Sequence, residues 1–264
     1  MNKMTVIITM AGLGSRFRKV GYTVPKFMIE AKGKTLFDWS LDSLLDYNSH
    51  VEKYVFVVRK EDDATVFIKE HCSLYGIENV EVVEIDYMTD GQATTCMLAI
   101  PYCAPDNAIM VYNIDTYVEP GEMKYVDISG EGHIPCFHAD GDHWSFAKLN
   151  EYGDVVEVRE KVRISNNCTL GAYYFSSAKL YASLYEEYYA DERHLEKNEK
   201  YIAPLYNYMI EKGMKVTISI VDKSKVHVLG TPEELDVFYS DQCNQQLTKL
   251  APFYEFAERV KKER

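Results

Sequence analysis

The chain has no long hydrophobic run. The apolar stretch nearest the N-terminus covers only residues 6–13, contains glycine, and is followed rather than preceded by basic residues. A membrane-spanning helix needs about 20 apolar residues, and a secretory signal places its basic residues before the apolar segment. We therefore expect no membrane partner and residence in the cytoplasm.

Positive charge and paired cysteines are also scarce. The 29 lysines and arginines are outnumbered by 41 aspartates and glutamates, giving a net charge of −12. This balance argues against a surface that binds nucleic acid, although it allows a local basic pocket. None of the six cysteines forms a Cys-x-x-Cys pair or has a histidine at zinc-site spacing, which favours scattered reduced thiols over a disulfide framework or a zinc site.

The order of the sequence patterns favours an α/β fold. Up to residue 112, short β-branched runs alternate with segments of helical periodicity, as is typical of parallel strands joined by crossovers, with helices on both faces. We predict a mostly parallel, Rossmann-like three-layer sheet that binds its ligand beyond the carboxyl ends of the strands. The predicted strands are 5–9, 54–58, 80–85 and 108–112, and the predicted helices are 36–47, 61–74 and 93–100.

The remaining segments change in pattern but show no second core, repeat or linker. We therefore predict one domain over residues 1–264, which is large enough, at 47% hydrophobic residues, to bury a sizeable core. Short strands and glycine turns over 120–175 predict a small antiparallel insert, and residues 233–264 have helical periodicity. Two tyrosine-rich helical segments between them are more typical of a core or a subunit interface than of a ligand site, which leaves a homo-oligomer open.

The segment after the first predicted strand has the composition of a phosphate-binding loop. Two glycines let the backbone turn tightly and bring its N–H groups close to an anion. Arg16 follows at once, and Pro25 fixes the backbone before Lys26, so a planar guanidinium and a compact ammonium group can converge on one polyphosphate. The candidate loop residues are Met10, Ala11, Gly12, Leu13, Gly14 and Ser15.

Glycine-rich loops of other kinds fit this segment less well. A Rossmann fingerprint would have a third glycine at Phe17, and a P-loop would contain Gly-Lys-Ser/Thr, neither of which occurs. An ordinary tight turn remains the alternative for Gly-x-Gly alone. The longer pattern, Met-Ala-Gly-Leu-Gly-Ser-Arg-Phe followed by Pro-Lys, resembles the signature of the sugar-phosphate nucleotidyltransferases, which include glucose-1-phosphate thymidylyltransferases and capsular cytidylyltransferases. This resemblance extends over residues 3–238 and implies their GT-A-like fold.

Asp115 is the candidate metal ligand. It lies just past the predicted strand 108–112, on the side of the sheet where the glycine loop is expected. Mg²⁺ binds few carboxylates and keeps the remaining positions for substrate oxygens and water, so one carboxylate here is enough to suggest the ion. The alternative is a turn aspartate that caps its own backbone. The resemblance places the family's metal aspartate at an equivalent strand end.

The resemblance also suggests where the nucleobase binds. The family carries a Gly-x-Ala element against the base, and this chain has Gly91, Gln92 and an alanine at the matching distance. Gln92 offers both a hydrogen-bond donor and an acceptor, as base recognition requires. Without the resemblance, these residues would be an ordinary helix-initiating turn.

The acceptor site is implied by the resemblance alone. A Glu-Lys pair and a downstream Gly-x-Tyr-x-Phe element line the acceptor pocket in the family, with the lysine on the acceptor phosphate. The matching residues here are Glu160, Lys161, Gly171 and Tyr173. Taken by themselves, the two charged residues would be an ordinary surface pair. Val162 stands where sugar-using members usually have proline.

The closing element, residues 226–235, departs from the family pattern at one position. The family commonly has a second metal-binding aspartate two residues before the glycine, whereas this chain has Val228. His227 and Asp222 are the candidate replacements, although a histidine among valines is more often a packed core residue. Thr231 is suited to cap a helix that begins at Pro232.

These residues predict a nucleotidyltransferase. The phosphate oxygen of a phosphorylated small-molecule acceptor would attack the α-phosphorus of CTP, dTTP or UTP, and pyrophosphate would leave. Catalysis would consist of positioning and charge stabilisation by Arg16, Lys26, Lys161 and Mg²⁺ on Asp115. A sugar 1-phosphate is the commonest acceptor in the family, as in the synthesis of surface polysaccharide precursors, and non-sugar phosphates such as phosphocholine, phosphonate or phospho-amino-acid types are the alternative.

Two other functions remain open at the sequence level. A catalytically silent, nucleotide-binding regulatory paralogue would explain Val228, although it would not explain why Arg16, Lys26 and Asp115 are all present. A glycosyltransferase of similar architecture would need an Asp-x-Asp motif at a strand end. Asp140 and Asp142 have that spacing but lie in a predicted hairpin turn.

Overall fold

The computed structural model describes residues 3–240, which form strands flanked by short helices. The strands are β1 (Met4–Thr9), β2 (Glu30–Ala31), β3 (Lys34–Thr35), β4 (Val51–Arg59), β5 (Val80–Ile85), β6 (Ala108–Asn113), β7 (Thr116–Val118), β8 (Gly132–His138), β9 (Ser145–Leu149), β10 (Val155–Glu160), β11 (Asn167–Thr169), β12 (Ala172–Phe175), β13 (Val216–Val221) and β14 (Val226–Val228). The α-helices are α1 (Ser15–Lys19), α2 (Leu36–Asp42), α3 (Thr65–Leu74), α4 (Gln92–Met97), α5 (Ala178–Tyr188), α6 (Ala203–Glu211) and α7 (Pro232–Ser240).

Ten strands form one large sheet. Its order is β10-β9-β11-β8-β12-β6-β1-β4-β5, with β13 paired alongside β8. The strands β6, β1, β4 and β5 are parallel, and the α/β prediction is confirmed. The antiparallel strands of the predicted insert do not form a sheet of their own: β12 pairs with β6 and continues the same sheet. The strands at the insert's far edge are therefore rigidly joined to the strands that carry the glycine loop.

Alternation along β1 explains the three layers. Ile7 packs into a core with α4, α5 and α6 on one face of the sheet. Val6 and Ile8 pack into a second core with α2 and α3 on the other face. Because successive side chains of a strand point to opposite faces, a strand covered on both sides is apolar throughout. The apolar run of β1 thus matches the prediction of helices on both faces of the sheet.

A third, smaller apolar cluster joins the two ends of the described chain. Phe17 from α1 and Trp39 from α2 pack together with Leu235 and Phe238 of α7. The ring centroids of Trp39 and Phe238 are 5.3 Å apart. This contact fixes the first turn of α7 beside the glycine loop, at the edge of the sheet where β1 ends.

The aspartates of α2 are buried, and the helix ends at Asp42 rather than extending to residue 47 as predicted. Asp38 is completely buried; it completes a capping box with Thr35 and lies 2.7 Å from His71 Nδ1. Burial acts to raise the pKa of Asp38, but the hydrogen bonds from His71 and Thr35 outweigh it and lower the pKa. Asp42 is paired with Lys34 at 2.6 Å. Each buried aspartate is thus satisfied by its own hydrogen-bond and ion-pair partners.

Several composition-based expectations can be compared with the described residues. Five of the six cysteines are free and buried, and burial raises the pKa of the Cys72 thiol to about 12. Tyr181 and Tyr206 are buried in the core, in line with a packing role for the tyrosine-rich helices. The sixth cysteine and residues 241–264 of the predicted C-terminal helices lie outside the described residues. None of the helices between residues 3 and 240 combines the length and apolar character needed to cross a membrane.

Candidate active site

A cavity of about 520 Å³ opens at the carboxyl ends of the parallel strands. Thr9 and Asn113, the last residues of β1 and β6, are paired neighbours at its floor. The loop after β1, the start of α4 and the segment after β6 form its walls. Parallel sheets bind their ligands at this edge, so the cavity lies where the sequence predicted a ligand. Its lining includes the predicted residues Met10, Ala11, Gly12, Gly14, Ser15, Arg16, Lys26, Gly91, Gln92 and Asp115.

Backbone conformation explains the glycines of the loop. Gly14 has φ of 60° and ψ of 28° and precedes the first residue of α1, a left-handed conformation that glycine adopts without a steric penalty. Gly12 faces open space, because a Cβ built there would have no atom within 4 Å. Leu13, in contrast, is 47% exposed and does not line the cavity; its carbonyl oxygen accepts a hydrogen bond from Arg18 Nε at 3.0 Å.

The two predicted cations line the same cavity but differ in their surroundings. Lys26 Nζ lies 3.1 Å from Asp115 Oδ2, and the lysine side chain is only 15% exposed. Arg16 lines the wall next to the loop, with no hydrogen bond or ion pair to any residue between 3 and 240. The cavity wall therefore contains one cation that neutralises a carboxylate and one, Arg16, that is unpaired within the described residues.

The requirement for glycine at position 91 comes from the protein itself. Gly91 has φ of 141°, and a Cβ there would lie 2.3 Å from the carbonyl oxygen of Lys200. The main chain of Lys200 bonds on both sides of this glycine: its N–H donates to Asp90 at 2.7 Å and its carbonyl accepts from Ala93 at 3.0 Å. The close approach that the glycine allows is therefore made by residue 200, and it brings Glu199 to the cavity wall.

Gln92 connects the ends of the two central strands. Its Nε2 donates to Thr9 Oγ1 at 3.1 Å and also to Asn113 Oδ1. With the amide donors engaged, the carbonyl oxygen is the part of Gln92 that has no partner among the described residues. A nucleobase that contacts Gln92 would have to present a donor to it.

The predicted acceptor residues form a polar cluster beside the cavity rather than part of its wall. Lys161 Nζ lies 3.1 Å from the Tyr201 hydroxyl and 3.5 Å from Glu160 Oε1. Burial acts against the charged lysine, yet the hydrogen bond to Tyr201 and the charge of Glu160 raise the pKa of Lys161. The lysine therefore stays protonated. Tyr201 follows Glu199 by two residues, which places this cluster next to the cavity.

Two of the acceptor residues have structural surroundings that the sequence did not indicate. Tyr173 is buried, and its hydroxyl lies 3.2 Å from Thr169 Oγ1 and 3.4 Å from Ser145 Oγ. Ser145 Oγ also donates to Glu160, so Tyr173 reaches the acidic residue through a serine. Gly171 has φ of 74°, and a Cβ there would overlap the Asn113 side chain. Neither residue lines the cavity.

The two candidates to replace the missing aspartate do not reach the cavity. Asp222 is exposed and caps its own turn by accepting from the Ser224 N–H at 2.8 Å. His227 is buried, stacks on Tyr117 with ring centroids 5.2 Å apart, and has Nε2 3.6 Å from Glu119 Oε1. Within residues 3–240, no three His, Cys, Asp or Glu side chains are grouped closely enough to hold a metal ion by themselves.

Strand pairing shows where position 228 lies. Val228 pairs with Thr116 in the β14–β7 ladder, and the N–H of the next residue, Leu229, donates to the Asp115 carbonyl at 2.8 Å. The position at which the family commonly has its second aspartate is thus directly opposite the Asp115 segment. Here it provides only a half-buried isopropyl group.

The alternative Asp-x-Asp motif lies elsewhere. Asp140 is fully exposed, 3.5 Å from Lys223 Nζ, and Asp142 pairs with Arg163 at 3.2 Å. The predicted hairpin at this point is also wrong, because the flanking strands β8 and β9 both pair with β11 rather than with each other. Neither aspartate lines the cavity, so the glycosyltransferase hypothesis loses its only motif.

Sequence reasoning missed several cavity residues. Asn113 and Gly230 were part of recognised segments but were not assigned a contact, and Thr95 lies one turn into α4. Glu199 belongs to a charged segment without periodicity, and only the contact of its neighbour Lys200 with Gly91 brings it to the site. No local signal in the sequence identifies it.

The sheet topology and the position of the cavity are typical of α/β proteins that bind a ligand at the carboxyl ends of their parallel strands. No protein-family model matches the sequence, and no curated protein matches it significantly. Among solved structures, the nucleoside-diphosphate-sugar pyrophosphorylase from Vibrio cholerae RC9 is 35% identical, with a TM-score of 0.83 over 89% of this chain and 100% of that chain. The chain therefore belongs to the nucleoside-diphosphate-sugar pyrophosphorylase family, and the resemblance found in the sequence is confirmed. It is a nucleotidyltransferase enzyme.

More distant structures share the fold. The inositol-1-phosphate CTP transferase from T. maritima is 20% identical, with a TM-score of 0.71 over 89% of this chain and 92% of its own. The CTP:phosphocholine cytidylyltransferase from Streptococcus pneumoniae is 17% identical, with a TM-score of 0.70 over 90% of this chain and 98% of its own. At these identities the likeness supports the architecture and not the substrate.

Proposed function

We propose that the enzyme transfers a nucleoside monophosphate from CTP, dTTP or UTP to a sugar 1-phosphate and releases pyrophosphate, supplying a precursor for surface polysaccharide. The observation that carries this proposal is the convergence of Arg16 and Lys26 with Asp115 in one cavity at the carboxyl ends of β1 and β6. A triphosphate brings about four negative charges, and these cations would neutralise part of that charge.

The proposed reaction needs no general base. An oxygen of the acceptor phosphate, already anionic at neutral pH, forms a bond to the α-phosphorus while the bond to pyrophosphate breaks and its electron pair leaves with that group. Loop N–H groups and Arg16 hold the triphosphate, Lys26 stabilises charge near the reacting phosphorus, and Lys161, kept protonated by Tyr201 and Glu160, binds the acceptor phosphate. Such catalysis is positioning and electrostatic stabilisation.

A divalent cation fits the residues at the cavity. Asp115 lies at a strand end, is 40% exposed, and shares the cavity with the glycine loop. Mg²⁺ is commonly bound through one or two carboxylates and substrate phosphates, and when bound here it would neutralise charge on the phosphate oxygens. Asp115 would hold the cation, and the adjacent Lys26 would offset part of the negative charge at the site.

A non-sugar acceptor is the second candidate. The structural relatives include a transferase named for inositol 1-phosphate and one named for phosphocholine, both of which use CTP. Val162 replaces the proline that is usual in sugar-using members. This departure is consistent with a non-sugar phosphate as the acceptor.

Pyrophosphate release from defined pairs of substrates tests both proposals. Purified protein with Mg²⁺ would be incubated with CTP, dTTP or UTP and with sugar 1-phosphates, inositol 1-phosphate, phosphocholine, a phosphonate or a phospho-amino acid. We expect release with one triphosphate and one acceptor class. Triphosphate binding without release in every pairing would contradict the proposal and favour a silent regulatory paralogue.

Replacing Arg16 with alanine should lower turnover about a hundredfold. The guanidinium has no partner in the described protein that its loss would leave unsatisfied, so the fold should be unchanged, while one charged donor to the triphosphate disappears. Pyrophosphate-release rates of Arg16→Ala would be compared with those of Lys19→Ala, an exposed cation on the same helix. Equal rates for the two variants would show that Arg16 does not contact the substrate.

A further inference from the structure

One carboxylate near the cavity has no partner. Oε2 of Glu234, in the first turn of α7, is buried and makes no hydrogen bond within the described part of the chain. A buried oxygen of this kind costs free energy unless it binds something. This orphaned atom is the starting point for the inference.

The unpartnered Glu234 oxygen lies next to Gly230. A Cβ built on Gly230 would lie 3.1 Å from Glu234 Oε2 and 3.6 Å from Asp115 Oδ2. The backbone of Gly230 is not in the left-handed region, so its conformation alone does not call for glycine. What the missing side chain leaves open is the space between the two carboxylates, and Gly230 itself lines the cavity.

Helix capping does not account for the side chain. Thr231 accepts a hydrogen bond from the Glu234 N–H at 3.2 Å, which is one half of a capping box. The other half would have the Glu234 carboxylate accept from the backbone N–H of Thr231, and the structure has no such bond. The carboxylate therefore remains available to a ligand.

The charges near Gly230 favour a cation. Lys26 is 3.1 Å from Asp115, and no salt bridge to Glu234 occurs within residues 3–240. Lys26 therefore offsets the charge of Asp115, while the Glu234 carboxylate has no cation paired with it in the described part of the chain. Val228, on the strand opposite Asp115, contributes no oxygen.

We propose that Glu234 is the second carboxylate of the divalent-cation site and replaces the ligand that Val228 cannot provide. Asp115 and Glu234 would then both hold the cation, which would neutralise charge on the substrate's phosphate groups. This proposal deepens the proposed function and rests on it. The second metal-binding residue would thus come from the first turn of α7 rather than from strand β14.

Mn²⁺ binding, followed by the electron paramagnetic resonance signal of the free ion, tests the proposal without relying on turnover. Glu234→Gln keeps the shape of the side chain and should weaken Mn²⁺ binding at least tenfold, since even indirect partners of metal ligands change affinity by about 10–100-fold. The exposed neighbour provides the control, and Glu233→Gln should bind as the wild type does. Adding Val228→Asp to Glu234→Gln should recover binding, which a helix cap would not.

The outcomes separate this proposal from the proposed function. Wild-type Mn²⁺ affinity in Glu234→Gln, or no Mn²⁺ binding by the wild-type protein, would overturn the assignment even if the enzyme released pyrophosphate. If Mn²⁺ binding depends on Glu234 while no substrate pair releases pyrophosphate, the metal site stands and the transfer reaction does not.

Discussion

Replacing Lys26 with alanine is expected to lower kcat about a thousandfold while the protein stays folded. The ammonium group lies 3.1 Å from Asp115 Oδ2 inside the cavity, so its loss removes a charge from the substrate site and also leaves Asp115 without its cation. Removing one electrostatic donor costs about 100- to 1,000-fold, and the second effect places Lys26 at the upper end. Single-turnover pyrophosphate release would measure the loss.

The control for Lys26 is a lysine without a cavity role. Lys19 is exposed at the end of α1, and Lys19→Ala should retain the wild-type rate and the same circular dichroism spectrum. A Lys26→Ala enzyme within tenfold of the wild type would refute the role given to this residue.

Replacing Asp115 with asparagine should lower the Mg²⁺-dependent rate at least a thousandfold. The amide keeps the size of the side chain but loses the negative charge, and electrostatic stabilisation by a bound metal is worth several kcal/mol, with about 1.4 kcal/mol for each tenfold in rate. Rates would be measured across a Mg²⁺ titration, with Mn²⁺ binding determined on the same preparation.

A matched variant and a double variant make this test specific. Asp140→Asn removes an exposed carboxylate that lies outside the cavity and should leave rate and metal binding unchanged. Because Lys26 and Asp115 are in contact, the double variant should lose less than the product of the two single losses. A normal Mg²⁺ response in Asp115→Asn would exclude this aspartate as a ligand.

The parallel half of the fold could be predicted because its signals are local. The strand at Val80–Ile85 has the same bounds in the sequence pattern and in the structure, and β1 differs by one residue. β1 is buried on both faces, so its apolar run marks it, whereas the edge strand at Val80–Ile85 is marked by its valines and isoleucine. The pairing of the antiparallel strands depends on contacts between distant segments, and for this reason the insert's merger with the central sheet was not foreseen.

The residues of the candidate site also fall into two groups: those that a local sequence pattern identifies and those that depend on contacts between distant segments. The glycine loop, Arg16 and Lys26 lie close together in the sequence, and their residue types alone suggest phosphate binding. Glu199 reaches the cavity only through the contact of Lys200 with Gly91, and Asp38 is buried only because His71 and Thr35 satisfy it. Glu234 looks like half of a capping box in the sequence, and nothing there reveals that its oxygen has no donor.

The apolar cluster of Phe17, Trp39, Leu235 and Phe238 has a consequence for folding. The segments α1 and α7 that meet in this cluster are more than 200 residues apart in the sequence. Without α7, Phe17 and Trp39 would lose their packing partners Leu235 and Phe238. Because closing so long a loop costs conformational entropy, these contacts are among the non-local ones that slow folding.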